Sequence, residues 1–202
     1  MAIAPSDTLV ALPPRASIKP VYSVRSTLII SSLAVLRQRG HFERYLGVVD
    51  PAHRETLLGA IAGMWLPVAP ATAHYAACEA LGLPVTEQLE IFRASGKRSQ
   101  GSMLGTAVLL AKGAGVTPWT LLGQLDRLFR RGFEGAAVAA YRIGPKEARA
   151  DAVALPLLRI PYFRRGLGVV LETMVSLFCR RAYVADAEPR VSDEVSYRVQ
   201  WA

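Results

Sequence analysis

The run from Val195 to Trp201 constrains the fold more than any other part of the chain. Val195, Tyr197, Val199 and Trp201 alternate with Ser196, Arg198 and Gln200. A period of two sends successive side chains to opposite faces of a strand, so this segment has one apolar and one polar face. Such a strand needs partners to pair with and a second layer over its apolar side, as in an antiparallel sheet covered on one face. Two further strands are predicted upstream. One runs from Ala136 to Ile143, with Ala139, Tyr141 and Ile143 on one face. Gly144-Pro145 turns the chain, and Ala150 to Leu155 returns it. Pro161 opens a helix to about Cys179 that buries Leu167, Val170, Leu171, Met174, Val175 and Phe178. A strand over Arg181–Ala185 and a polar loop over Asp186–Glu194 complete a β-β-α-β-β order across about 135–202.

Before that unit the periodicity is helical, over about 24–132. Leu28, Ile29, Leu33 and Leu36 lie at helical spacing between Val24 and Arg39, and Gly40 closes the segment. Asp50-Pro51 reads as N-cap and N1 of a helix carrying Leu57, Leu58 and Ile61, broken by Trp65-Leu66-Pro67. Helices follow over Ala71–Leu81, from Thr86 to about Ser95, and over Met103–Lys112. Thr117-Pro118 opens another, with Leu121, Leu122, Leu125, Leu128 and Phe129 on one side, closed by Gly132. The fold class is α+β, an N-terminal helical layer packed on a C-terminal antiparallel sheet. Residues 1–20, with Pro5, Pro13, Pro14 and Pro20, read as a flexible arm, and 21–202 as a single domain.

Composition narrows the partners. Of 202 residues, 51% are hydrophobic and 20% charged, enough for a large core and too apolar for global disorder. The formal charge is +8, and 20 of the 24 cations are arginine, scattered in ones and twos. Without a basic run or a known reading module, no specific nucleic-acid partner is expected. Cys78 and Cys179 form no CxxC motif, which suits a reducing, cytoplasmic location. The longest uncharged stretch, Leu57–Cys78, holds Pro67 and Pro70, so no transmembrane segment is expected.

Three short strings carry a resemblance: Glu79-Ala80-Leu81-Gly82-Leu83 at a helix end, Gly144-Pro145-Lys146-Glu147-Ala148-Arg149 at a turn, and Tyr197-Arg198-Val199-Gln200-Trp201 in the closing strand. With these the chain, over Val24–Ala202, resembles a paralogue-rich myxobacterial family of about 200 residues. That family is distantly similar to haem-nitric-oxide-binding domains and to vinyl-reductase-type ligand-binding domains. The latter are similar in turn to trafficking subunits that hold an acyl chain. The resemblance implies a small-molecule sensor or an adaptor. It also implies a Tyr-x-Ser-x-Arg clamp in the haem-binding relatives. Here the nearest string is Tyr22-Ser23-Val24-Arg25, with different spacing, so no cofactor is expected and haem is disfavoured.

Several constellations remain open between binding and structure. His74 and Cys78 lie one helical turn apart beside Tyr75, a spacing for two metal ligands or for a buried histidine and thiol. No third ligand accompanies them, and no metal is expected. Lys146 and Arg149 flank a Gly-Pro turn that suits an anion, with Glu147 between them. Arg164 and Arg165 stand at a helix start, where cations oppose the dipole and an anionic ligand would relieve them. Trp65 beside Pro67 suits a pocket wall or core packing. GxSxG, HExxH, P-loop and GxGxxG are all absent from the sequence, so binding is expected rather than catalysis. The expected function is a non-catalytic sensory or regulatory module with an apolar pocket. Its ligand residues would be Trp65, His74, Tyr75, Cys78, Lys146, Arg149 and Arg164, and its guest apolar or fatty-acid-like. The alternative is a scaffold domain that self-associates as a homo-oligomer without a small ligand.

Overall fold

The fold is described from a computed structural model covering residues 7–101, 117–187 and 192–202. In chain order the elements are β1 (Asp7–Val10), a 3-10 turn (Arg15–Ser17), β2 (Ser23–Arg25), α1 (Ser26–Gln38), α2 (Phe42–Val48), α3 (Pro51–Leu58), β3 (Trp65–Pro67), α4 (Val68–Ala80) and α5 (Val85–Gly101). There follow α6 (Pro118–Leu122), α7 (Leu125–Phe129), β4 (Phe133–Glu134), β5 (Ala137–Gly144), β6 (Glu147–Val153), a 3-10 turn (Pro156–Arg159), α8 (Pro161–Val175), β7 (Ala182–Asp186) and β8 (Val195–Trp201). The α+β class read from the sequence is the observed one.

The main sheet is antiparallel throughout, in the order β1-β5-β6-β8-β7. In β8 the four alternating apolar residues are buried and the residues between them face outward. Register carries that face across the sheet: Ala150 of β6 pairs with Tyr197 and with Ala140 of β5, and Ala148 pairs with Val199. Helix α8 packs on this face and touches α5, which in turn packs on α1. A second small sheet, β3-β2-β4, ties the helical layer to the start of the sheet unit.

Several boundaries differ from the expectation, each for a local reason. The arm expected over 1–20 is corrected for its described part, because Asp7–Val10 pairs with β5 as an edge strand. Pairing there satisfies backbone groups that β5 would otherwise expose. Val24 and Arg25, read as the start of a helix, belong to β2 instead, where Val24 is fully buried between β3 and β4. The helix capped by Asp50, whose carboxylate accepts the Ala52 N–H at 2.9 Å, ends at Leu58 because Gly59 follows. The helix opened by Thr117-Pro118 breaks at Gly123 into α6 and α7, although Leu122 and Leu125 stay in the core. α8 stops at Val175, short of Cys179. The helix expected over Met103–Lys112 lies outside the described residues.

Gly135 shows how tightly β4 and β5 are joined. Its φ is 83°, and a Cβ there would stand 2.4 Å from the Pro20 carbonyl oxygen, so both conformation and space demand glycine.

Candidate functional site

A cleft opens between α8 and the inner face of the sheet. Its cause is the set of residues on β5 and β6. Ala150 and Ala152 of β6 line the cleft, and Ala140 and Ala148 continue the same buried face beside them. Facing layers stand about 10 Å apart, and methyl groups do not fill such a gap. Helices α5, α7 and α8 face it with Phe92, Leu125, Leu128, Phe163, Leu167 and Leu171, and Val138 and Tyr197 come from the sheet. The cavity volume is about 220 Å³, partly open to solvent. Among the described residues the cations on its lining are Arg25 and the exposed Arg131. Arg25 donates from Nη1 to the Gly63 carbonyl at 2.7 Å and stacks 3.9 Å above the Trp65 ring.

Behind the cleft lies a buried polar network. Tyr45 Oη is 3.0 Å from His74 Nδ1, and Ser32 Oγ is 3.0 Å from His74 Nε2. Cys78 Sγ is 3.7 Å from the same Nε2 and also bonds to Tyr162 and Ser32. Ser32, Tyr75 and Tyr162 line the cleft as well, so the network touches the cavity through them. With no carboxylate on it, burial is the largest influence on its protonation. It pushes the His74 imidazolium down to about 3, pushes the Cys78 thiol up to about 12, and raises the phenols of Tyr45, Tyr75 and Tyr162 beyond their ordinary range. At neutral pH every member is therefore uncharged, and neutral His74 donates from one ring nitrogen and accepts at the other.

The residues singled out in the sequence fall into separate places. His74, Tyr75 and Cys78 come together, and Tyr75 lines the cleft while His74 sits one layer behind it. Trp65 lies under Arg25 at the edge of the small sheet. Lys146 is exposed in the β5–β6 turn, and Arg149 points to the opposite sheet face from Ala148 and Ala150. Arg149 is 3.2 Å from Asp151 and 4.5 Å above the Tyr141 ring. Arg164 is 3.3 Å from Asp186, and its carbonyl accepts the Tyr197 hydroxyl at 2.6 Å. The unfavourable placement of arginines at the start of α8 is answered within the chain. Glu79 accepts the Tyr162 N–H at the helix start and lies 3.2 Å from Arg165, which also donates to Gln88 at 2.7 Å.

Sequence reasoning missed Ser32, Tyr45 and Arg131 as site residues. Ser32 sits inside a helical pattern where nothing distinguishes it from ordinary core, and Tyr45 lies on α2, a helix the sequence pattern does not announce. Among the described residues no group of three or more His, Cys, Asp or Glu could hold a metal ion, and no helix is long and apolar enough to cross a membrane.

No protein-family model matches the sequence, and no curated protein is significantly similar to it. Solved structures do match. An oxygen-binding H-NOX domain related to soluble guanylate cyclases, in its oxygen complex, superposes with a TM-score of 0.54 at 14% identity, over 88% of this chain and 94% of that one. A structure concerned with haem redox potential and protein-induced porphyrin distortion gives 0.53 at 15% identity, over 88% and 94%. Another, concerned with the function of haem distortion in the H-NOX family, gives 0.53 at 14%, over 88% and 94%. The likeness shows the fold, and the distant resemblance to haem-nitric-oxide-binding domains holds at that level. It also overturns the expectation of no cofactor, because the structures that share this fold are haem domains.

The described residues suit a haem in part. Apolar walls and the two arginines on the lining match a porphyrin body and its carboxylates. The donor set does not supply the usual imidazole or thiolate. All three histidines are described, and none lines the cleft: His74 is held in the network, His41 lies 2.6 Å from Glu87, and His53 is on α3. Neither cysteine lines it. Tyr75, Tyr162, Tyr197 and Met174 are the oxygen and sulfur side chains on the wall of a kind that ligates haem iron.

Proposed function

We propose that this chain is a cytoplasmic sensory or regulatory module that works by binding one small guest in the cleft between α8 and the alanine face of the sheet. The observation that carries the reading is the cleft itself: an open apolar space beside two arginines, backed by a network kept neutral by burial. The guest chemistry that fits is an apolar body with a carboxylate end, the body against Leu167, Leu171 and Phe163 and the carboxylate toward Arg25 and Arg131. Haem and a long-chain fatty acid share that chemistry. A bound haem would bring an iron centre that takes up a gas or changes redox state, whereas a fatty acid would act through occupancy alone. His74 and Cys78 behind the cleft are neutral and committed to their neighbours, and Asp151 on its lining is held by Ser196 at 2.8 Å and Arg149 at 3.2 Å, which supports binding without catalysis.

Titration separates the two sources. Haemin added to the purified chain is followed by its Soret absorbance, and a fluorescent fatty acid by its emission. Saturable one-to-one binding of either is expected, weakened about tenfold or more by Ala152→Phe, which places a ring in the gap. Absence of binding by both probes, or equal binding by the A152F variant, would overturn the reading.

A further inference from the structure

The segment between α3 and β3, residues 59–64, adjoins the rim of the cleft. Its backbone is pinned to the first residues of α1. The Ser26 amide donates to the Met64 carbonyl at 2.9 Å, and the Ser26 hydroxyl donates to the Ile61 carbonyl at 2.6 Å. The Met64 amide returns a bond to Ser26 Oγ at 3.0 Å, and the Gly63 amide one to Thr27 Oγ1 at 3.1 Å. Arg25 closes the set on the Gly63 carbonyl. Ser26 is fully buried, and Arg25 and Thr27 line the cleft, so this segment is hydrogen-bonded to the cleft wall.

What it presents there is apolar. Leu58 is 41% exposed, Ile61 69% and Met64 48%, three of the seven large apolar side chains exposed among the described residues. Hydrogen bonds hold the backbone in place, yet the oily side chains are left in solvent. Clustered exposed apolar residues mark an interaction surface. The charge beside them selects the partner. Arg25 adjoins Arg131, donating from Nε to the Arg131 carbonyl at 3.4 Å, while Arg130 beside it is ion-paired with Asp126 at 2.8 Å. Apolar side chains in a cationic setting on a chain of net charge +8 fit an anionic lipid surface.

We propose that this rim docks the chain on anionic membranes, with Ile61 and Met64 entering the interfacial layer and the arginines meeting lipid phosphates. The mouth of the cleft then faces the leaflet, and an apolar guest passes between the two without crossing water. The docking stands on the rim alone; the passage of guest rests on the function proposed above.

Vesicle flotation tests the docking. The intact chain is mixed with phosphatidylcholine vesicles with and without phosphatidylserine. Binding is expected only with phosphatidylserine, weakened by salt, and reduced about tenfold or more by the double substitution Ile61→Asp and Met64→Asp. The variant should keep its circular dichroism spectrum and its affinity for guest delivered in solution, while uptake of fluorescent fatty acid from anionic vesicles slows in step with binding. Equal flotation of variant and parent overturns the inference, as does no flotation at all. Self-association lost in the same variant, without vesicle binding, would assign the rim to a second copy and overturn it too. Failure of docking with solution binding intact leaves the proposed function standing. Loss of solution binding with docking intact removes that function and not the docking.

Discussion

His74→Gln should remove most of the acid sensitivity that one buried imidazole imposes on this fold. In the unfolded chain the ring takes up a proton near pH 6.5, and in the folded chain burial holds that protonation down to about 3. Between those values the unfolded state binds more protons, so stability falls as pH falls through that window. At pH 7.5 neither state is protonated and the loss is near zero. At pH 5 about thirty unfolded chains in thirty-one carry the proton while the folded ring stays neutral, which costs about 2 kcal/mol. Any folded value below about 4 gives nearly the same figure, because at pH 5 the unfolded ring sets the loss. Urea titrations at pH 7.5 and pH 5.0 on parent and variant measure it. Glutamine itself should cost roughly 1–3 kcal/mol at pH 7.5, through imperfect bonds to Tyr45 and Ser32. The drop between the two pH values should be about 2 kcal/mol smaller in the variant. Every other ionisable group is common to parent and variant, so its contribution cancels in the difference. Equal drops would refute the argument that burial keeps His74 neutral.

Three further expectations follow from packing and backbone geometry. Gly166→Ala places a Cβ 2.1 Å from the Phe92 ring, so the ring must be displaced from its packing between α5 and α8, and denaturation should show a loss of roughly 1–3 kcal/mol. Glu79→Gln removes the negative charge at the first turn of α8 and beside Arg165, for a loss of roughly 1 kcal/mol that shrinks in high salt. Ala154→Gly should raise stability by up to about 1 kcal/mol, because Ala154 has a φ of 59°, a region costly for a side-chain-bearing residue. A melting temperature that falls in the glycine variant would count against that strain.

The sheet unit was legible because its signals are local. The alternation in β8 and the Gly144-Pro145 turn declare strands without help from the rest of the chain. The three-residue strands β2 and β3 carry no periodicity to read, and β1 is held by pairing with β5 rather than by its own pattern. The site was legible only in part for the same reason. His74 and Cys78 announced themselves by spacing, but their commitment to Ser32 and Tyr45 depends on α1 and α2 meeting α4. Arg149 and Lys146 looked apt for an anion in sequence, and only strand pleating shows that Arg149 leaves from the side away from the cleft. The cavity itself had no positive signal. It comes from alanines, which read as neutral filler in any strand.

That last point bears on how such a protein diversifies. Exchanging Ala150 or Ala152 for a bulkier neighbour leaves the ladder bonds of β5, β6 and β8 untouched, since those run through the main chain. The volume offered to a guest is thereby uncoupled from the scaffold that encloses it. Successive single-residue changes on one strand resize the chamber while the frame persists, so relatives sharing this backbone are free to house molecules of quite different girth.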